Sequence, residues 1–194
     1  MIRRLGILAD TRETVPIEYI DVTRAVARML ASHAVTVAYR GGSLGIAGIV
    51  ADEALKAGGR VIGVTVEGQE ERELPHLGLS ELRVVPSEAD RQREIGDLAD
   101  GFLVLPGWPG TLSDAFDVWT WGTQGLRQKP LGLLNTNDYF THQLAGVDDA
   151  LVDQFVRESQ RGMLVVSTGP EDLLRRLADF RPPETRRATS CDDE

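Results

Sequence analysis

Seven apolar runs set the strongest limit on how this chain folds: LGILA (5–9), VTVAY (35–39), RVIGVTV (60–66), LRVV (82–85), GFLVLP (101–106), LGLL (131–134) and LVVS (164–167). They recur at intervals of roughly 20 to 35 residues and are near-continuous rather than alternating, the pattern of strands covered on both faces. The segments between them carry a helical period. Tyr19, Val22, Val26, Met29 and Leu30 follow i, i+3, i+7, i+10 and i+11, and Leu112, Ala115, Phe116 and Trp119 follow i, i+3, i+4 and i+7. Strands alternating with helices predict an α/β fold, a doubly wound and mainly parallel sheet flanked by helices. Helix stops agree: Gly58-Gly59 ends one segment and Pro130 follows Lys129 at the end of another.

The length of 194 residues suits one domain, expected over residues 1–180. Residues 67–81 (EGQEERELPHLGLSE) read as a polar surface excursion, and 181–194 (RPPETRRATSCDDE) as a flexible tail without apolar period. The net charge of -9 argues against a nucleic-acid polymer as partner, since phosphate backbones are held by clustered Lys and Arg. A small ligand in a local site remains compatible with that charge. The single cysteine, Cys191, allows no disulfide framework and no cysteine metal cluster, which suits a reducing compartment. No apolar run approaches the roughly 18 residues that span a bilayer, and MIRRLGILAD reads as the first strand of a cytoplasmic protein with no membrane partner. His33, His76 and His142 match no metal-ligand spacing, so neither a metal nor another cofactor is implied.

Open parallel sheets bind ligands at the carboxyl ends of their strands. Two glycine turns leave such ends. In YRGGSLGIAG (39–48) the glycines either bring the backbone close to an anion at a helix N-terminus or only permit tight strand–helix packing. It is not a G-x-G-x-x-G, because Arg40 takes the first glycine's place, and no G-K-[ST] follows. The second turn is Pro106 to Thr111, within LVLPGWPGTLSDAFDVW (103–119). Asp114, read in the first turn of the following helix, is either a carboxylate favoured there by the helix dipole or a catalytic group facing a pocket. Trp108 either stacks on a base and closes the site or packs under a loop. Arg40 adds a phosphate contact or is a surface charge.

Together, YRGGSLGIAGIVADEALKAGGRVIGV and LADGFLVLPGWPGTLSDAFDVWTWGTQGLRQKPLGLLN resemble the two hallmark segments of the LOG family, the cytokinin-activating nucleoside 5'-monophosphate phosphoribohydrolases. The resemblance covers about residues 3 to 178 and implies a Rossmann-like domain. The family pattern is roughly G-G-G-x-x-G-L-M-G, then M-H-x-R-K on a helix, then P-G-G-x-G-T-x-x-E. Gly41, Gly42, Ser43, Gly45, Gly48, Arg91, Pro106, Gly107, Gly110 and Thr111 fit it. Arg40, Ala47 and Trp108 depart from it, Glu88 and Ala89 replace Met and His, Gln92 replaces Lys, and Asp114 replaces the catalytic Glu.

The resemblance implies hydrolysis of the N-glycosidic bond of a nucleoside 5'-monophosphate to free base and ribose 5-phosphate. Asp114 would stabilise the oxocarbenium-like transition state, Arg91 would hold ribose hydroxyls or the carboxylate, and Gly41 to Gly45 with Gly110-Thr111 would take the phosphate. Gln92, Gly107 and Trp108 complete the candidate substrate site. The alternatives are a nucleotide or sugar-phosphate sensor that has lost turnover, and a transferase in which another nucleophile intercepts the sugar cation. The resemblance also implies a homodimer, for which Asp114, Val118 and Trp121 would form a partner-facing stripe apart from a core face through Phe116 and Trp119.

Overall fold

The computed structural model describes residues 2–68, 74–107, 109–124, 126 and 128–183. The expected excursion therefore lies outside the described residues at 69–73, as does the expected tail at 184–194. Every apolar run becomes a strand: β1 (Arg4–Leu8), β2 (Thr36–Tyr39), β3 (Val61–Val66), β4 (Glu81–Val85), β5 (Gly101–Val104), β6 (Leu131–Leu134) and β7 (Leu164–Ser167). The helices between and after them are α1 (Ile17–Ser32), α2 (Gly45–Lys56), α3 (Glu88–Leu98), α4 (Gly110–Thr123), α5 (Thr141–Val152), α6 (Glu158–Arg161) and α7 (Pro170–Asp179).

The strands form one all-parallel sheet in the order β4-β3-β2-β1-β5-β6-β7. Connections run outward from β1 to one edge and, after α3, from β5 to the other. The order therefore reverses between β1 and β5, where doubly wound sheets open a crevice at the strand ends. Val26 and Leu30 of α1, Val50 and Ala54 of α2, and Leu173 and Leu177 of α7 cover one face of the sheet. Ile95 and Leu98 of α3, Leu112 and Val118 of α4, and Leu144 and Val147 of α5 cover the other.

Local chemistry fixes where the helices begin. The Ser87 hydroxyl accepts the Asp90 N–H at 3.2 Å, and Glu88 and Asp90 lie in the first turn of α3, so an N-cap and two carboxylates meet the positive helix end. Pro170 opens α7 at a position where its missing N–H costs nothing, followed by Glu171 and Asp172.

Two expectations change. β4 is an edge strand and leaves Leu82 and Val84 exposed, so its apolar run is not covered on both faces. On α4 the core face runs through Leu112, Ala115 and Val118, while Phe116 is 47% exposed. The stripe expected to face a partner thus includes core residues, and Trp121 too packs against the buried cluster. Both stripes are apolar, and a periodicity count cannot say which one the sheet takes.

Candidate functional site

The loops leaving β1, β2 and β5 converge at the crossover between β1 and β5. Ala47 donates its N–H to the Asp10 carbonyl at 3.0 Å, tying the start of α2 to the loop after β1. Gly45 has φ +69°, and a Cβ there would lie 2.5 Å from the Asp10 carbonyl oxygen. At Gly107 a Cβ would meet the Thr111 hydroxyl at 2.2 Å and the Asp10 nitrogen at 2.8 Å. These two glycines are required by close packing of three loops. Gly110, by contrast, faces open space where α4 begins, and Thr111 beside it is buried.

The turn after β2 is clasped from outside. Ser43 donates both its N–H, at 2.9 Å, and its hydroxyl, at 3.1 Å, to the Leu74 carbonyl, while Gly42 bridges to Pro75 and Gly41 accepts from His76. The Tyr39 hydroxyl donates to the Gly42 carbonyl at 2.8 Å, and burial pushes this phenol above its ordinary range. Part of the expected surface excursion therefore pins the first glycine turn. Trp108 lies outside the described residues.

The charged residues gather on the α3–α4 side. A small cleft, with about 20 Å³ of free volume, is lined by Leu8, Arg40, Arg91, Gln92, Asp114, Asp117 and Trp121 among others. Arg40, one residue past β2, donates to Glu88 at 3.1 and 3.3 Å and to Asp114 at 3.4 Å. Glu88 also accepts from Arg91, whose Nε is 3.0 Å away and whose Nη2 forms a second bond. Arg91 is fully buried, which a guanidinium tolerates only when its donors are matched. Gln92 donates to Asp117 at 3.2 Å.

Asp114 is the fifth residue of α4, not in its first turn, so the dipole of the helix end is not what places a carboxylate there. Its side chain is 19% exposed. Burial pushes its carboxyl above the ordinary aspartate range; Arg40 pulls it down, Asp117 pushes it up, the hydrogen bond with Gln92 lowers it and Glu88 raises it. Asp10 behaves oppositely: burial alone would raise it, but hydrogen bonds and charge from Arg12 carry it below that range. A carboxylate in a partly dry cleft, with two guanidiniums close by, can stabilise a developing cation or orient a water.

Arg40, Arg91, Gln92 and Asp114 thus come from three separate segments into one cleft, while Ser43 turns its donors to Leu74. Asp10 and Asp117 escaped the sequence reading, and Glu88 entered it only as a departure from the family pattern. Only the i, i+3 spacing of Glu88 and Arg91 carries a local signal. Among the described residues no group of three His, Cys, Asp or Glu side chains is placed to hold a metal ion. Nor is any described helix long and apolar enough to cross a membrane.

A family model described as "Possible lysine decarboxylase" matches residues 47–177. Cytokinin riboside 5'-monophosphate phosphoribohydrolase LOG5 of Arabidopsis thaliana is 31% identical over 164 residues, 84% of this chain and 72% of that protein. The chain belongs to the LOG family. Arabidopsis LOG3 is 30% identical over 187 residues, 96% of this chain and 87% of that protein. Among solved structures, the molybdenum cofactor binding protein of Rippkaea orientalis superposes with a TM-score of 0.68 at 16% identity, covering 91% of this chain and 95% of that one. The molybdenum cofactor carrier protein of Chlamydomonas reinhardtii gives 0.66 at 17%, covering 91% and 98%. These likenesses show a shared fold.

Proposed function

We propose that this LOG-family protein is a nucleoside 5'-monophosphate phosphoribohydrolase, an N-glycosidase releasing free base and ribose 5-phosphate. The observation that carries the reading is the half-buried Asp114 carboxylate, set beside Arg40 and Gln92 in a cleft at the carboxyl ends of the strands. The names of the curated relatives supply the reaction class.

In this reading the phosphate sits where α4 begins, on Gly110 and Thr111, with Gly107 beside them. As the bond from C1′ to the base lengthens, its electron pair leaves with the base and positive charge grows on the ribose ring. Asp114 stabilises that charge and orients the water, whose oxygen bonds to C1′ and whose proton balances the departing base. Arg91 fixes Glu88 and the wall of α3 against which the ribose lies. A homodimer and a cytoplasmic location belong to the same proposal: Phe116 on α4 and Val152 and Phe155 at the end of α5 are exposed apolar side chains for a second copy to cover.

The test is incubation of the protein with a panel of nucleoside 5'-monophosphates, quantifying free base and ribose 5-phosphate, with Asp114→Asn alongside. Turnover of at least one nucleotide, lowered about 100-fold or more in the variant while nucleotide binding persists, is the expected result. Binding without release from any nucleotide would replace the enzyme with a sensor, and release only in the presence of an added nucleophile would make it a transferase.

A further inference from the structure

The mechanism above requires Asp114 to be charged and aimed, yet burial opposes the charge. What holds it is the chain of contacts from Asp114 to Arg40, from Arg40 to Glu88, and from Glu88 to the buried Arg91. We propose that Arg40 is the positioning residue of this site: its guanidinium, anchored on Glu88, orients the Asp114 carboxylate and keeps it charged. The kinetic part of this inference rests on the phosphoribohydrolase reading; the structural part does not.

Three features of the geometry carry it. Arg40 directly follows the fully buried Tyr39, so its backbone leaves a fixed strand end. Its guanidinium is 27% exposed and reaches α3 and α4 at once, linking two helices that otherwise meet across the cleft. Glu88 shares its carboxylate between Arg40 and a guanidinium that the core immobilises, which gives Arg40 a rigid anchor. A planar fork of donors suits that double task.

Among the described residues, the groups acting on Asp114 come from three elements. Arg40 approaches from the end of β2, Glu88 and Gln92 from α3 with Arg91 in the same cleft wall, and Asp117 from a turn later on α4. Arg40 has the largest charge effect on Asp114 and, with the hydrogen bond from Gln92, favours the carboxylate form, opposing burial, Asp117 and Glu88. Removing it leaves the opposing influences in place, so the Asp114 midpoint must rise.

The experiment is a carbon-13 NMR titration of the aspartate carboxyls, with the Asp114 signal assigned by its loss in Asp114→Asn. In Arg40→Met the midpoint moves up, and in Arg40→Lys, which keeps a charge but not the fork, it moves less. In the unsubstituted protein the guanidinium signal of Arg40 shifts with the same midpoint as Asp114, a readout that needs no stable variant. Kinetically, the acid limb of kcat/KM moves to higher pH in Arg40→Met, so the loss of rate is largest at acid pH and shrinks as pH rises. An Arg40 that merely braced the fold would lower the rate by one factor at all pH values. An unmoved Asp114 midpoint in folded Arg40→Met, or an Arg40 signal that ignores Asp114, overturns the proposal. A moved midpoint with no nucleotide cleaved leaves the proposal standing and removes the hydrolase reading; cleavage with an unmoved midpoint does the reverse.

Discussion

On one side of the sheet, α1, α2 and α7 meet the strands through Val26, Leu30, Val50 and Leu173, none more than 1% exposed. On the other, α3 and α4 carry Arg91, Gln92 and Asp114 toward the same sheet and line a cleft with them. Thr23, buried in the first layer, satisfies its hydroxyl locally on the Tyr19 carbonyl at 2.6 Å. In the second layer the polar groups satisfy one another across α3, α4 and the end of β2. One layer thus supplies burial free energy and the other carries groups that resist burial, which is how a fold places chemistry next to a core without losing it.

That contrast can be broken in three ways. The largest effect belongs to the joint that both layers share: Gly45→Val forces a branched side chain into a left-handed backbone and onto the Asp10 carbonyl. A loss of about 4 kcal/mol, or failure to fold, is expected in urea denaturation. Next comes the dry layer. Leu30→Ala removes a fully buried side chain and costs about 3 kcal/mol in the same assay, while the Asp114 titration is untouched.

The smallest effect has the opposite sign. Because burial raises the Asp114 carboxyl in the folded state, its contribution to stability is fully present below the unfolded value and is lost as pH rises through the folded value. Asp114→Asn removes that loss. The variant is more stable than the parent at about pH 8, and the gap closes as pH falls below the ordinary aspartate range. Thermal unfolding across pH checks this. A variant less stable at high pH would mean that the ion pair with Arg40 outweighs burial, and would blur the division between the layers.

The strands and their parallel arrangement were legible because burial on both faces leaves near-continuous apolar runs such as VTVAY and LGLL. The edge position of β4 was not, since LRVV has the same composition whether or not a layer covers it. On α4, Phe116 and Val118 are equally apolar, and only the direction from which the sheet approaches decides which is buried. The cleft was half legible. Asp114 stood out from its place after the second glycine turn and Arg91 came from the family resemblance, but Glu88 was noticed only as a departure. Its tie to Arg40 spans 48 residues of sequence, and no local spacing reports it. The packing role of Gly45 and Gly107 was likewise hidden, because the atoms that exclude a side chain belong largely to the loop after β1.

The central place of β1 also governs how the chain comes together in time. Leu5 pairs with Val37 on one side and with Gly101 on the other, and the Asp100 carboxylate accepts from the N–H groups of Arg3 and Arg4 at 2.7 and 2.9 Å. During synthesis β1 meets β2 early, but its second neighbour is made only about 65 residues later, an interval of roughly 3 to 13 s at ordinary translation rates. Over that interval the half-sheet from β4 to β1 carries an open backbone edge in what will become the middle of the molecule. Closing that edge is a long-range pairing step, which makes it the slow step of folding and the moment at which chaperones, or a second nascent chain, compete for the strand.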